Sequence, residues 1–132
     1  MNNKPIQNKT DMEKLIKESS ESAKQYIPKL LDGLKEVVRL FDEGRDKEAV
    51  LLFSTAIEGL DWFSVFQLAL NLMEPFVNTE DNTVVFNKIM KGLLNAWETQ
   101  NFLLMSDILE FELIPLLDKS METLIKYDFP GH

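Results

Sequence analysis

The chain has no cysteine and a single histidine, His132, which is the last of its 132 residues. Lack of cysteine removes disulfides, thiolate nucleophiles and Cys-based zinc sites, and it fits a reducing cytoplasm. A chain of this length buries enough surface to fold without such staples. A terminal histidine is a poor general base, because a nucleophile needs its base held beside it and chain ends are weakly ordered. The Glu-x-x-His pairs that helical bundles use to hold two metals are missing as well. No glycine-rich phosphate loop is present: Lys91-Gly92 stands inside a helical pattern and lacks the spaced glycines that aim backbone donors at phosphate.

Other absences concern location and charge. The opening MNNKPIQNKT has no apolar segment, so no secretory signal is expected. The longest apolar region, Ala49 to Met73, is broken by Glu58, Asp61 and Gln67, whereas a membrane span needs about 20 predominantly apolar residues. Basic side chains are scarce after the first third. Residues 1–47 hold 10 basic and 9 acidic side chains, a net of +1, and residues 48–132 hold 4 and 13, a net of −9. An acidic body repels phosphate backbones and anionic membranes, which argues against both as partners. The expectation is a soluble cytoplasmic protein, not an enzyme, with no cofactor and no metal.

What is present is helical periodicity. Thr10-Asp-Met-Glu13 reads as a capping box that starts a helix near Asp11. Its apolar stripe runs Met12, Ile16, Ala23, Ile27, Leu30, Leu34, Val37 and Phe41, with Ser19 as a polar gap. Pro28 predicts a kink, or a break between a loose arm and a main helix of about 28–43. Gly44 supplies a left-handed residue, and Asp46 an oxygen to cap the next helix. That helix spans about 47–74, with Phe53, Ala56, Ile57, Leu60, Phe63, Phe66, Leu70 and Met73 inward. Ser54, Glu58, Asp61, Ser64, Gln67, Asn71 and Glu74 form its polar stripe. Gly59 inside it predicts a close helix crossing. After the polar loop Asn78–Asn82 a third helix, about 82–99, turns Val85, Phe86, Ile89, Leu93, Ala96 and Trp97 inward. No strand pattern intervenes, and tight turns make antiparallel neighbours. The fold predicted is an all-α, up-down-up-down four-helix bundle with kinks at Pro28 and Pro115. Residues 1–19 are set apart as a polar, mobile amino-terminal arm, 20–127 as the bundle and 128–132 as a tail.

The fourth stretch, Asn101 to Ile125, is apolar over most of its circumference. On a regular helical wheel Met105, Ile108, Leu109 and Leu116 share one side. Ser106, Asp107, Glu110 and Asp118 form a narrow wet stripe, and Phe111, Leu113, Ile114 and Leu117 fill the flanks. Glu112 projects into the apolar side, where a carboxylate needs a partner. It is read either as a recognition carboxylate or general acid in an apolar groove, or as a buried acceptor bonded to Arg39, Lys35 or the indole donor of Trp62 or Trp97. Two acidic pairs, Glu58 with Asp61 and Asp107 with Glu110, are candidates for a hard cation if they face each other, against the commoner outcome of solvated stripes.

Helices two and four carry more apolar residues than an inward face uses, and such excess marks a partner groove or a dimer seam. The candidate partner-binding residues are Trp62, Val65, Leu72, Leu104, Phe111, Glu112 and Ile114. The expected partner is an amphipathic helix with basic flanks that complement Glu58, Asp61, Asp107 and Glu110, or a second copy of the chain in a homodimer.

The hairpin Leu34-Lys-Glu-Val-Val-Arg-Leu-Phe-Asp-Glu-Gly-Arg-Asp-Lys-Glu-Ala49 and the apolar helix after it resemble the small helical bundles of bacterial flagellar export chaperones. The closing Asp107-Ile-Leu-Glu-Phe-Glu-Leu-Ile-Pro-Leu-Leu117 looks like an uncharacterised group of bacterial bundle proteins. The first resemblance covers roughly Leu30 to Leu124 in pattern. It implies a non-enzymatic, chaperone- or adaptor-like module that holds a secretion substrate along its grooves, with a mobile segment over Met1 to Ile27 near the site. It transfers no functional residue.

Overall fold

The computed structural model describes residues 9–73 and 80–126, and these form an all-α four-helix bundle. Helix α1 spans Lys9–Asp42, α2 Asp46–Met73 and α3 Glu80–Glu98. Helix α4 is composite: an α segment Phe102–Ile108, a π turn Leu109–Leu113 and a second α segment Ile114–Lys126. The main contacts run α1 to α2, α2 to α3, α3 to α4 and α4 back to α1. The four therefore form a ring of antiparallel neighbours, with α1 opposite α3 and α2 opposite α4. The core is one cluster in which Ile27, Leu34, Phe53, Phe63, Leu93, Met105 and Leu113 are fully enclosed.

Helix α1 continues without a break through Pro28 and through the residues Lys9 to Ser19 assigned to an arm, and Thr10 lies inside it. Pro28 is exposed, so the Lys24 carbonyl that loses its donor can turn to water. The inward stripe of α1 holds from Ala23 to Phe41, widened by Leu31, Val38 and Leu40. The side chains of Met12 and Ile16 lie outside the described set, as do residues 1–8, Pro75 and the tail from 127. On α2, Gln67 is buried rather than part of the wet stripe, and on α3, Val85 is half-exposed rather than inward. Over Asp46–Gln67, α2 is long and apolar enough to cross a membrane by length and composition, contrary to expectation. Phe53, Leu60, Phe63 and Phe66 of that stretch are spent on the bundle core.

Gly59 explains how α1 and α2 approach. A β-carbon there would run into the Tyr26 hydroxyl and come within 3.1 Å of Leu30 Cδ1. The α1–α2 and α3–α4 turns, the two that lie wholly among the described residues, close the same way. Gly44 takes φ 77°, Arg45 N–H donates to the Leu40 carbonyl at 2.9 Å and Gly44 N–H to Phe41 at 3.0 Å. In the second turn Gln100 takes φ 56°, Asn101 N–H donates to Ala96 at 2.8 Å and Gln100 N–H to Trp97 at 3.0 Å. These paired bonds satisfy the last carbonyls of each helix. Asp46 is the first residue of α2 rather than its cap, whereas Asn101 caps α4 by accepting from Leu104 N–H at 3.2 Å.

The π turn reorganises the fourth helix. Ile114 N–H donates to the Leu109 carbonyl, five residues back, and Pro115 follows with no N–H to give. A proline there would drive its ring into the Phe111 carbonyl of a regular helix, and the wider turn avoids that clash. It also adds one residue to the turn, which rotates everything beyond it by about 100° relative to a regular helix. Hence the wheel reading fails locally. Leu113, Ile114 and Leu117 are core, Ser106 is buried, and both Phe111 and Glu112 point outward.

Candidate functional site

The seven residues singled out for partner binding do not form one surface. Trp62 and Val65 lie on α2, Leu104, Phe111, Glu112 and Ile114 on α4, and these two helices stand opposite each other in the ring. Trp62 is half-buried in the α1–α2 seam, with its ring centroid 5.2 Å from Tyr26 and 5.4 Å from Phe66. Val65 is exposed, Ile114 is part of the core, and the side chain of Leu72 lies outside the described set. Glu112 is exposed on the outer side of the π turn and meets none of its expected partners. Arg39 bonds instead to Glu36, at 2.8 Å from Nε, and to Glu43, while Trp97 packs edge-on against Phe53 at 5.3 Å.

Two surfaces remain as sites. The first is the outer face of α4. Leu103 is 76% exposed, Phe111 68% and Leu104 41%, and Asp107, Glu110 and Glu112 are interleaved with them. Among the described residues none of these three acids forms an ion pair; the pairs found join Lys24 to Glu21 and link Arg39 and Arg45 to Glu36, Glu43 and Glu48. A cleft of about 380 Å³ borders this face, floored by Val38 and Ile114 and rimmed by Lys35, Arg39, Asp42 and Glu110. The second is a more apolar cleft of about 430 Å³ at the end of the bundle that carries both turns. Val50, Leu51, Trp97 and Phe102 line it, with Asp46, Lys47 and Gln100 at its rim. Its walls are fixed from below, since Phe102 stacks on Phe41 at 5.8 Å.

Residues 18–123 match the family described as a domain of unknown function, DUF8042. The chain belongs to that family. The DUF8042 match covers the four helices apart from the first turns of α1 and the last of α4. No curated protein and no solved structure matches the chain.

Electrostatics are local. The Arg39 guanidinium holds Glu36 below the usual carboxylate range, and Arg45 does the same for Glu48; both arginines are pushed up in return by their carboxylate partners. This network sits around the first turn, and its Arg39 also rims the cleft that Glu110 borders, with no ion pair between the two. The two acidic pairs considered for a cation, Glu58 with Asp61 and Asp107 with Glu110, are carried by helices on opposite sides of the ring. Among the described residues no three acidic or histidine side chains gather to hold a metal ion.

Leu103, the most exposed apolar residue of α4, belongs to that helix's surplus apolar residues but was not among the candidate partner-binding ones, whereas Phe111, a candidate, is exposed. The usable signal was spacing. Met105, Leu109, Leu113 and Leu117 recur every four residues, a longer step than the 3.6 of a regular helix.

Proposed function

We propose that this protein is a non-enzymatic interaction module of the bacterial cytoplasm, adaptor- or chaperone-like, that binds a basic amphipathic helix on the outer face of α4. The observation that carries the reading is the exposure of Phe111, Leu103 and Leu104 among three acids that form no ion pair with the described residues. Apolar contact would hold a partner helix there and charge would steer it. A homodimer through the same face is disfavoured by symmetry. A two-fold seam sets the same patch against itself, so Asp107, Glu110 and Glu112 would meet the same acids of the second copy. The absence of a histidine within the body, of cysteine and of a phosphate loop supports a binding role over a catalytic one.

The test uses a synthetic helical peptide with leucine anchors at i, i+3, i+4 and i+7 and lysine flanks, titrated by calorimetry against the full chain. Binding should weaken as salt rises and should be lost in Phe111→Ser and in the double variant Asp107→Lys, Glu110→Lys. Equal affinity for the double variant would sink the charge-steered helix, and a salt-resistant dimer in light scattering, broken by Phe111→Ser, would put a second copy in its place.

A further inference from the structure

The α1–α2 seam holds a third cleft, of about 380 Å³, lined by Ser22 and Tyr26 from α1 and by Glu58 and Trp62 from α2. It lies on a different side of the molecule from the exposed face of α4 and owes nothing to the reading given for that face. Its geometry begins with Gly59. Because that residue has no side chain, the Tyr26 ring can lie against α2, a position that a β-carbon would contest. Trp62 is held from the other direction by Phe66, whose ring is stacked 5.4 Å away with an angle of 3° between the planes. Tyr26 and Trp62 then stand 5.2 Å apart at 71°, two walls of a box with one corner. Glu58, one turn before Trp62 on the same helix, lines the same opening.

Three of the four lining residues, Tyr26, Trp62 and Glu58, favour positive charge. Aromatic faces carry the negative lobes of a quadrupole, and a carboxylate is anionic. Yet no cation of the protein occupies the place: among the described residues neither Glu58 nor the neighbouring Asp61 forms an ion pair. The cleft suits some cations better than others. A hard metal ion needs six or more oxygen ligands, and one carboxylate with two rings does not supply them. An alkylated ammonium spreads its charge over methyl groups, has few or no N–H bonds to satisfy, and packs against ring faces at little desolvation cost.

We propose that Tyr26, Trp62 and Glu58 form a binding site for an alkylammonium group. The net −9 of residues 48–132 disfavours a phosphate next to that nitrogen, so a free alkylammonium compound fits the surroundings better than a phosphocholine headgroup.

The chain contains two tryptophans, Trp62 and Trp97, so two indole N–H signals report on it in a nitrogen-labelled sample. On titration with choline the Trp62 signal should shift and saturate in the millimolar range while that of Trp97 stays in place. The uncharged isostere of choline, with carbon in place of nitrogen, should leave both unmoved. Glu58 is exposed, so Glu58→Gln should keep its melting temperature and bind choline about tenfold more weakly. Trp62→Leu should abolish binding, read from the Tyr26 ring signals. Phosphatidylcholine vesicles supply the second arm. Vesicle binding that is lost in Glu58→Gln would assign the ammonium to a lipid, and its absence beside choline binding assigns it to a free compound. The proposal is overturned if choline leaves the Trp62 signal unmoved, if the isostere shifts it equally, or if Glu58→Gln binds choline as tightly as the natural chain.

Discussion

The two helical hairpins, α1–α2 and α3–α4, solve the same problem with different residues. Each ends its first helix with a pair of backbone bonds that reach back five and three residues, and each needs one residue in the left-handed region to make them. The first hairpin puts Gly44 there, for which the conformation is free of strain. The second puts Gln100 there, whose β-carbon crowds the backbone by roughly 1–2 kcal/mol. Compensation differs too. The first turn is braced by the ion pairs of Arg39 and Arg45, the second by Asn101 and by the Thr99 hydroxyl, which donates to the Asn95 carbonyl at 3.0 Å. Their seams contrast in the same way: Gly59 sits under Tyr26, whereas a β-carbon on Gly92 would meet only Ile108 Cδ1, at an ordinary 3.5 Å. Equal geometry in the two halves therefore does not mean equal tolerance.

The strongest break of this comparison is to exchange the two turn residues. Gly44→Gln should destabilise by about 1–2 kcal/mol and Gln100→Gly should stabilise by up to about 1 kcal/mol, read from urea unfolding midpoints. A Gln100→Gly variant no more stable than the natural chain would mean that the glutamine side chain offsets its own strain. Next come the seam glycines. Gly59→Ala should lose about 1 kcal/mol net, overpacking outweighing helix propensity, while Gly92→Ala should gain about 0.4–1 kcal/mol. If both gained, Tyr26 would be swinging aside, and the ring signals of Tyr26 and Trp62 would show it.

A smaller effect separates the turns by pH. Glu36 and Glu48 titrate below their ordinary range because arginines bond to their charged forms. A carboxylate depressed in the folded state adds stability above its unfolded value, and that stability is lost as pH falls through the folded one. Stability should therefore fall on acidification below the ordinary carboxylate range, and the double variant Arg39→Gln, Arg45→Gln should flatten part of that slope. An unchanged slope would show the network to be solvent-screened to insignificance. The smallest effect is at Glu112. Because it is exposed, Glu112→Leu and Glu112→Gln should each stay within about 0.5 kcal/mol of the natural chain. A larger loss for leucine than for glutamine would put a partner back on that carboxylate.

The ring of four helices was readable because caps and periodicity agree. Gly44 ends a stripe that runs from Ala23 to Phe41, and nothing in the sequence alternates with the period of a strand. A turn over 99–101 is legible from where the apolar pattern stops, but not its left-handed residue, since glutamine does not adopt that conformation by habit and local backbone bonds with the Asn101 cap hold it there. The site was less legible than the fold. A regular wheel assigns Glu112 inward and Phe111 to a flank, and both assignments fail because the wheel has no place for a wide turn ahead of Pro115. Trp62 read as surplus apolar surface because its partner Tyr26 lies on α1, more than thirty residues away, under a contact that depends on Gly59.

The π turn also makes α4 sensitive to counting rather than to chemistry. Its buried positions Met105, Leu109, Leu113, Leu117, Ser120 and Leu124 step by four, four, four, three and four residues, one residue more in sum than the roughly 18 that five regular turns contain. Take one residue out of Leu109–Leu113, and the same apolar positions fall into step with an unbroken α-helix. Phe111 and Glu112 then cannot both keep their places outside. A deletion there resets the phase of half a helix, while a substitution at the same spot leaves the phase alone. Among related chains, the number of residues between Leu109 and Leu117 is accordingly a better marker of whether the exposed face of α4 is kept than the identity of any one of them.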